Sequence, residues 1–218
     1  MPYHPHPANP RPGAAGLLTA GIGLGCSLGA ASVARADFVY SGVVSIDIPS
    51  SADGLYLDLD SGTFGSSRDS IAGWDLNIYG IGSMMLAGQG DFGFMAAGGA
   101  SGELIDNLQF RTEIGSGSSF AQGPLGIETS GSTAFNFNSS QNLLGFRFRS
   151  SQTGHYHYGW MRLQLAGSDF GQPKAIFEYL WEDTPGIWTN AGVIPAPGAL
   201  ALLAGVPCTL AGRRRRSG

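Results

Sequence analysis

The chain has 218 residues, of which 43% are apolar, so it is long enough to bury a sizeable core within one domain. Its central residues 37–192 contain six basic and all 16 acidic residues, and the resulting formal charge of −10 repels nucleic acid phosphates. Both cysteines, Cys26 and Cys208, lie outside these central residues, which excludes a disulfide, a thiol nucleophile and a thiolate metal site there.

The N-terminal segment 1–36 has the pattern of a secretory signal peptide. A single basic residue precedes an apolar run of small residues at 14–31. Ala34 and Ala36 then place small side chains where signal peptidase requires them, so we expect cleavage immediately before Asp37. The alternatives are an uncleaved membrane anchor, because the run is long for a signal core, and a lipoprotein site at the cysteine within it.

Short segments in which apolar and polar residues alternate follow, separated by glycine and serine. The clearest are 44–48, 55–60, 143–149 and 160–165, and further candidates are 74–80, 83–88, 92–97, 108–114, 135–138 and 175–181. Alternation with a period of two is typical of half-buried strands, because successive side chains leave a sheet on opposite faces. The pattern predicts that these side chains are buried: Leu55, Leu57, Leu59, Phe146, Phe148, Leu163 and Leu165.

This arrangement predicts an all-β domain over residues 37–192. About ten short strands separated by turn residues favour an antiparallel two-sheet sandwich of the jelly-roll or concanavalin-like kind. Segment 102–108 is compatible with one short turn of helix, and the glycine- and serine-rich segment 115–126 is predicted to be a long surface loop.

The C-terminal residues 193–218 combine prolines, an apolar run and a block of arginines. Their order is Pro195, Ala196 and Pro197, then the uncharged residues 198–212, then Arg213, Arg214, Arg215 and Arg216. The 15 uncharged residues would span about 22 Å as a hydrophobic helix, which is short for a bilayer, and Pro207 interrupts them. We expect this helix to insert transiently in the inner membrane while the arginines hold its end in the cytoplasm. An ordinary permanent anchor is the alternative.

This order of prolines, apolar segment and arginines resembles the PEP-CTERM sorting tail of exported bacterial proteins. The resemblance covers residues 193–218 and departs from the family at Ala196, where glutamate is usual, and at Pro207 within the span. It implies recognition by an exosortase, a membrane enzyme thought to cut near the proline motif and to release the protein or transfer it to the surface. Segments 154–167 and 177–186 also resemble the last part of β-rich domains on such proteins, a resemblance that implies no particular chemistry.

Two short spacings would place polar side chains together on a strand face. His155 and His157 would begin a metal site, and Asp58 and Asp60 have the spacing of paired glycosidase carboxylates. With Asp53 as a third oxygen donor, the aspartates suggest Ca²⁺ as an alternative ligand. No complete zinc, glycosidase or calcium motif is present, so the favoured interpretation is solvated strand carboxylates and an exposed aromatic strand end, with no catalytic residue, metal or other cofactor.

A second acidic group lies near the end of the domain. Glu178 falls within a predicted strand, and Glu182 and Asp183 precede the turn residues Thr184, Pro185 and Gly186. We expect the three acidic side chains to lie on the surface rather than to act as an acid and base pair.

Together these features predict an exported, non-enzymatic protein of the bacterial cell surface or extracellular matrix. Its partners during export would be signal peptidase and an exosortase, and nucleic acid is excluded as a partner. The alternative is a carbohydrate-binding or weakly glycoside-active module whose partner is extracellular polysaccharide. Aromatic side chains favour this alternative because their faces stack on sugar rings: Tyr56, Trp74, Tyr79, Tyr156, Tyr158 and Trp160.

Overall fold

The computed structural model describes residues 38–96, 104–169 and 171–195. The expected signal cleavage site and most of the tail lie outside these ranges, namely Ala34, Ala36, Asp37, Ala196, Pro197, Arg213, Arg214, Arg215 and Arg216. Of the proline motif only Pro195 is described, in irregular structure. The fold described below is therefore that of the central domain.

The described chain consists of short strands, with a single turn of 3-10 helix at Arg68–Ser70. The strands are β1 (Phe38–Tyr40), β2 (Ile46–Asp47), β3 (Leu55–Leu57), β4 (Phe64–Gly65), β5 (Leu76–Tyr79), β6 (Met85–Gly88), β7 (Gly93–Met95), β8 (Leu104–Ile105), β9 (Glu113–Ile114), β10 (Phe120–Ala121), β11 (Leu125–Ile127), β12 (Ser139–Arg149), β13 (Tyr156–Leu165), β14 (Ala175–Glu182) and β15 (Thr189–Asn190). The prediction of an all-β fold is confirmed.

Two large sheets contain most of these strands. The larger has seven strands in the order β1-β14-β13-β12-β7-β10, with β2 also paired to β14, and its pairings are antiparallel. The smaller has six strands in the order β4-β3-β5-β6-β11-β8. Its β8 and β11 run parallel, so the prediction of wholly antiparallel sheets is wrong for that pair. Strands β9 and β15 form a separate two-stranded ribbon.

Apolar side chains from both large sheets form one core. Leu57 and Leu76 of the six-stranded sheet belong to the same buried cluster as Phe146, Phe148 and Leu163 of the seven-stranded sheet. All seven leucine and phenylalanine side chains that the alternation predicted to be buried are buried. A core shared between two sheets in this way is consistent with a sandwich.

The seven-stranded sheet buries apolar side chains on its other face as well, which we call the outer face. Trp160 alternates with the core residue Met161, yet it is 0% exposed. It clusters on the outer face with Leu180, with Ile114 of β9 and with Ala191, which follows β15. The β9–β15 ribbon therefore covers part of the outer face, and the central strands of the sheet are buried on both sides.

The longest pairing in the molecule joins β12 to β13. Its register runs without interruption from Asn142 opposite Leu163 to Arg149 opposite Tyr156. Within it Gly159 lies opposite Phe146, and a Cβ atom on Gly159 would overlap the phenylalanine ring. Glycine at this position therefore lets the ring lie across the neighbouring strand.

Predictions for four segments are wrong. Segment 115–126 is not a long surface loop, because it contains β10 and the start of β11, and Phe120 is buried on the outer face. The described part of 102–108 contains β8 in place of a turn of helix. Segments 108–114 and 135–138 are mostly irregular rather than strands. These segments obtain their burial from long-range packing that no local pattern shows.

We predict that Leu163→Asp destabilises the domain by roughly 4 kcal/mol or more, because it places an unpartnered carboxylate in the shared core. The matched control is Gln164→Asp, which adds the same charge at the next, partly exposed position of the strand. Thermal and denaturant unfolding measure both variants. Equal stability of the two variants would contradict the observed register of β13.

Candidate functional site

Asp58 lies in the turn that joins β3 to β4 and not within a strand, because β3 ends at Leu57. Its backbone N–H donates to the Thr63 carbonyl at 2.9 Å, and its own carbonyl accepts from the Gly62 N–H at 2.9 Å. One carboxylate oxygen accepts from the Ser61 N–H at 3.1 Å. Asp58 therefore shapes a tight turn, as aspartate commonly does.

Asp60 connects this turn to the tip of the β12–β13 hairpin. Its Oδ2 atom accepts hydrogen bonds from the Ser151 N–H at 2.6 Å and from the Ser151 hydroxyl at 2.8 Å. The Gln152 side-chain amide also donates to the Asp60 carbonyl at 3.4 Å. A carboxylate of the six-stranded sheet thus holds the end of a hairpin that belongs to the seven-stranded sheet.

His157 belongs to the same hairpin and is 0% exposed. Its Nδ1 lies 2.8 Å from the Glu182 carbonyl oxygen, and its Nε2 lies 3.0 Å from the Thr153 hydroxyl. A carbonyl oxygen can only accept, so Nδ1 carries the proton, and in the neutral ring Nε2 accepts from the hydroxyl. The ring also packs against Phe148 and Trp181, with centroids 5.6 and 5.1 Å apart. The expectation of an exposed strand end is wrong at this histidine.

His155 is exposed and precedes β13, and its backbone N–H donates to the Thr153 hydroxyl at 3.3 Å. The fold therefore gathers His155, His157 and Asp60 at the end of the domain where the hairpin tip meets the β3–β4 turn. The two histidines have different surroundings, because His155 is exposed and His157 is buried. Among the described residues no group of three histidine, cysteine, aspartate or glutamate side chains is arranged to hold a metal ion.

A third carboxylate near this turn, Asp75, was missed by the sequence analysis. Its Oδ2 atom accepts from the Leu59 N–H at 2.8 Å, and its backbone carbonyl accepts from the Gln89 N–H at 2.9 Å. Burial raises the pKa of Asp75 to about 7, the Leu59 hydrogen bond opposes this, and the negative charges of Asp58 and Asp60 add to it. The only signal in the sequence was its place between Trp74 and the strand residue Leu76.

The prediction that the second acidic group lies on the surface is wrong for Glu178 and Glu182. It holds for Asp183, which is exposed. Glu178 is buried and accepts hydrogen bonds from the Tyr40 hydroxyl at 2.5 Å and from Arg162 Nε at 2.6 Å. Glu182 is buried too, and its Oε1 accepts from the Thr184 N–H at 3.1 Å. Its Oε2 has no hydrogen-bond partner among the described residues, and burial raises the pKa of this carboxyl.

Of the six aromatic residues that suggested sugar binding, three are buried, two are partly exposed and one is exposed. Tyr158 and Trp160 are buried on the outer face, and Tyr56 is buried with its ring edge-on to Trp74 at 5.1 Å. Tyr156 is the exposed member of the set, at 37%. The structure therefore places no pair of exposed, coplanar aromatic rings beside Asp58 and Asp60 within the described residues.

A cleft of about 410 Å³ lies away from these residues, between the edge strands β2 and β4. Its lining is mainly apolar and includes Val44, Ile46, Leu55 and Phe64, with Asp47 as the charged side chain. One carboxylate does not make an acid and base pair, so the cleft does not by itself suggest hydrolysis.

No protein-family model, curated protein or solved structure matches this chain. No helix in the described part of the chain has the length and apolar composition needed to cross a membrane.

The raised pKa of Asp75 predicts how stability depends on pH. The fold favours the protonated carboxyl, so this contribution is fully present below an ordinary aspartate pKa of 3.8 and is lost as the pH rises through about 7. Asp75→Asn keeps an oxygen acceptor for Leu59 and cannot ionise. We expect the wild type to lose stability relative to this variant between about pH 3.8 and about pH 7, with no further loss well above that range.

Denaturant unfolding at several pH values measures the difference. The matched control is Asp69→Asn, which removes an exposed carboxylate from the 3-10 turn and should follow the wild-type curve. Parallel curves for the wild type and Asp75→Asn would show that Asp75 is ionised at no cost to the fold.

Proposed function

We propose that the chain is an exported, non-enzymatic protein of the bacterial cell surface or extracellular matrix, delivered by its C-terminal tail. In this proposal residues 1–36 are a signal peptide, residues 37–192 form a mainly antiparallel sandwich of the jelly-roll or concanavalin-like kind, and residues 193–218 are the sorting tail. The order of these three segments supports export, because each end has the residues that a membrane-associated processing enzyme would recognise.

The proposal that the protein is not an enzyme rests on one observation, which is that the candidate polar side chains are hydrogen-bonded to neighbouring loops. Asp60, Asp75 and His157 are all engaged with backbone or hydroxyl groups of neighbouring turns. These bonds connect one loop to another, which is a structural use of polar groups. A catalytic pair would instead direct its carboxylates toward a common space that a substrate can enter.

The tail argument is electrostatic. Each arginine resists insertion at mid-membrane by roughly 2.5 to 3.5 kcal/mol on translocon scales, so four consecutive arginines strongly disfavour transfer of the chain end. The uncharged residues 198–212 are short for a permanent span, and the prolines Pro195 and Pro197 mark their outer boundary. A short span held at one end fits a segment that is needed only until the chain is cut.

We predict that replacing Arg213–Arg216 together by serine lets the tail pass through the membrane, which yields unprocessed protein released too early. The matched control replaces the same four residues by lysine, which keeps the charge and should keep processing. Intact-mass spectrometry of the protein in an exosortase-bearing host, with cell fractionation, gives the C-terminus and the location. In a strain without the exosortase, the wild-type protein should stay full-length in the inner membrane.

Two results would contradict this proposal. Wild-type protein that retains Arg216 at its final location would show that the tail is an ordinary anchor. A mature N-terminus at Met1, or at an acylated Cys26 instead of Asp37, would contradict the expected signal cleavage.

A carbohydrate-binding module is the second candidate function. The observation that favours it is the exposed ring of Tyr156, which lies 5.2 Å from the guanidinium of Arg147 on the outer face. Weak glycoside hydrolysis lacks comparable support, because Asp58 and Asp60 hold turns together.

A further inference from the structure

Arg147 lies across the outer face of the seven-stranded sheet, between two aromatic rings. Its guanidinium carbon is 5.0 Å from the centroid of the Phe120 ring and 5.2 Å from that of Tyr156. The two rings come from β10 and β13, on opposite sides of β12. Both distances are within the range of cation–π attraction, so the two rings together favour this position of the guanidinium.

Gly93 provides the space for this arrangement. It is the register partner of Arg147 on β7. A Cβ atom at Gly93 would lie 2.9 Å from the Phe120 Cβ and 3.4 Å from Arg147 Nε. A larger residue would therefore clash with Phe120 and would have to shift the ring that flanks the arginine, whereas its contact with Arg147 Nε would be an ordinary one.

Arg147 is also left without a polar partner. The two other arginines of the same sheet are engaged, Arg149 with Asp91 at 3.6 Å and Arg162 with Glu178 at 2.6 Å. Arg147 makes no hydrogen bond or ion pair with the described residues, and its Nε atom is buried without an acceptor. In a domain with ten excess negative charges, a fixed cation without a carboxylate is positioned to accept one from outside.

The chemistry of the rings and the cation together specifies the ligand class. A guanidinium binds a carboxylate through two parallel hydrogen bonds, and an exposed tyrosine face stacks on the apolar face of a sugar ring. A uronate residue presents a carboxylate and a sugar ring in one unit. We propose that Arg147, Phe120 and Tyr156 form a subsite for the carboxylated sugar residues of an acidic polysaccharide. This proposal goes beyond tail-directed sorting and does not depend on it.

The experiment measures binding of polygalacturonate to the full chain, purified in mild detergent, by affinity electrophoresis and calorimetry. Arg147→Gln should weaken binding by about tenfold or more, because a charged pair of hydrogen bonds is lost. Arg147→Lys should recover only part of the affinity, because an ammonium group does not present the planar pair of donors. Tyr156→Ala removes the exposed ring without touching the charge, and it should also weaken binding.

The matched control is Arg68→Gln. Arg68 is an exposed arginine whose guanidinium lies 5.9 Å from the Trp74 ring, on another part of the domain. Its loss changes the net charge by the same amount and should leave the affinity within about twofold if binding is local. Thermal unfolding of each variant checks the fold, and Tyr156→Ala keeps the proposal testable if Arg147→Gln does not fold.

Four results would overturn the proposal. Wild-type protein that does not bind polygalacturonate would do so, as would an equal loss of affinity in Arg68→Gln and Arg147→Gln. Equal binding of neutral dextran, or of dextran sulfate with the same dependence on Arg147, would show that the carboxylate is not what the subsite recognises. None of these results bears on the C-terminal mass of the exported protein, so failure of this subsite and failure of the sorting proposal are distinguishable.

Discussion

Pairing of β12 with β13 is the constraint on which most of the domain depends. One face of the hairpin supplies Phe146, Phe148 and Leu163 to the core shared with the six-stranded sheet. The opposite face supplies Trp160 to the outer cluster beneath the β9–β15 ribbon. A shift of one residue would exchange the two sets, moving side chains fitted to one cluster into the other. The neighbouring strands β14 and β7 take their own register from this pair.

Polar side chains form hydrogen bonds at the ends of strands and in the adjoining turns, where backbone groups lack partners in the sheets. Asp60 secures the tip of the β12–β13 hairpin, and His157 links the base of that tip to the end of β14. Asp75 accepts a hydrogen bond from the Leu59 N–H and so holds the turn after β3. A buried backbone group without a hydrogen-bond partner is costly, which explains the bonds of Asp75 to the Leu59 N–H and of His157 to the Glu182 carbonyl, whereas the Asp60 bonds lie at an exposed turn.

The sequence predicted the parts of the fold that depend on local alternation. Leu163 and Phe146 were assigned to the core because a strand with one apolar face has only one way to bury it. Phe120 and Glu182 were misassigned to the surface, because their burial comes from strands distant in the chain. The same holds for the proposed subsite on the outer face. Alternation places the Arg147 side chain on the face of the strand opposite to that of Phe146, but only the fold brings two aromatic rings to the guanidinium.

Strand β1 begins at Phe38, near the start of the central domain. It nevertheless pairs with the last residues of β14, where Phe38 lies opposite Glu182. A chain that emerges N-terminus first, from a ribosome or a membrane channel, therefore cannot close the seven-stranded sheet until β14 has emerged. Such long-range closure is slow compared with local contacts. On the proposed export route, the domain would reach its final form only as the apolar residues 198–212 arrive in the channel, and completion of the fold would then nearly coincide with arrest of the tail.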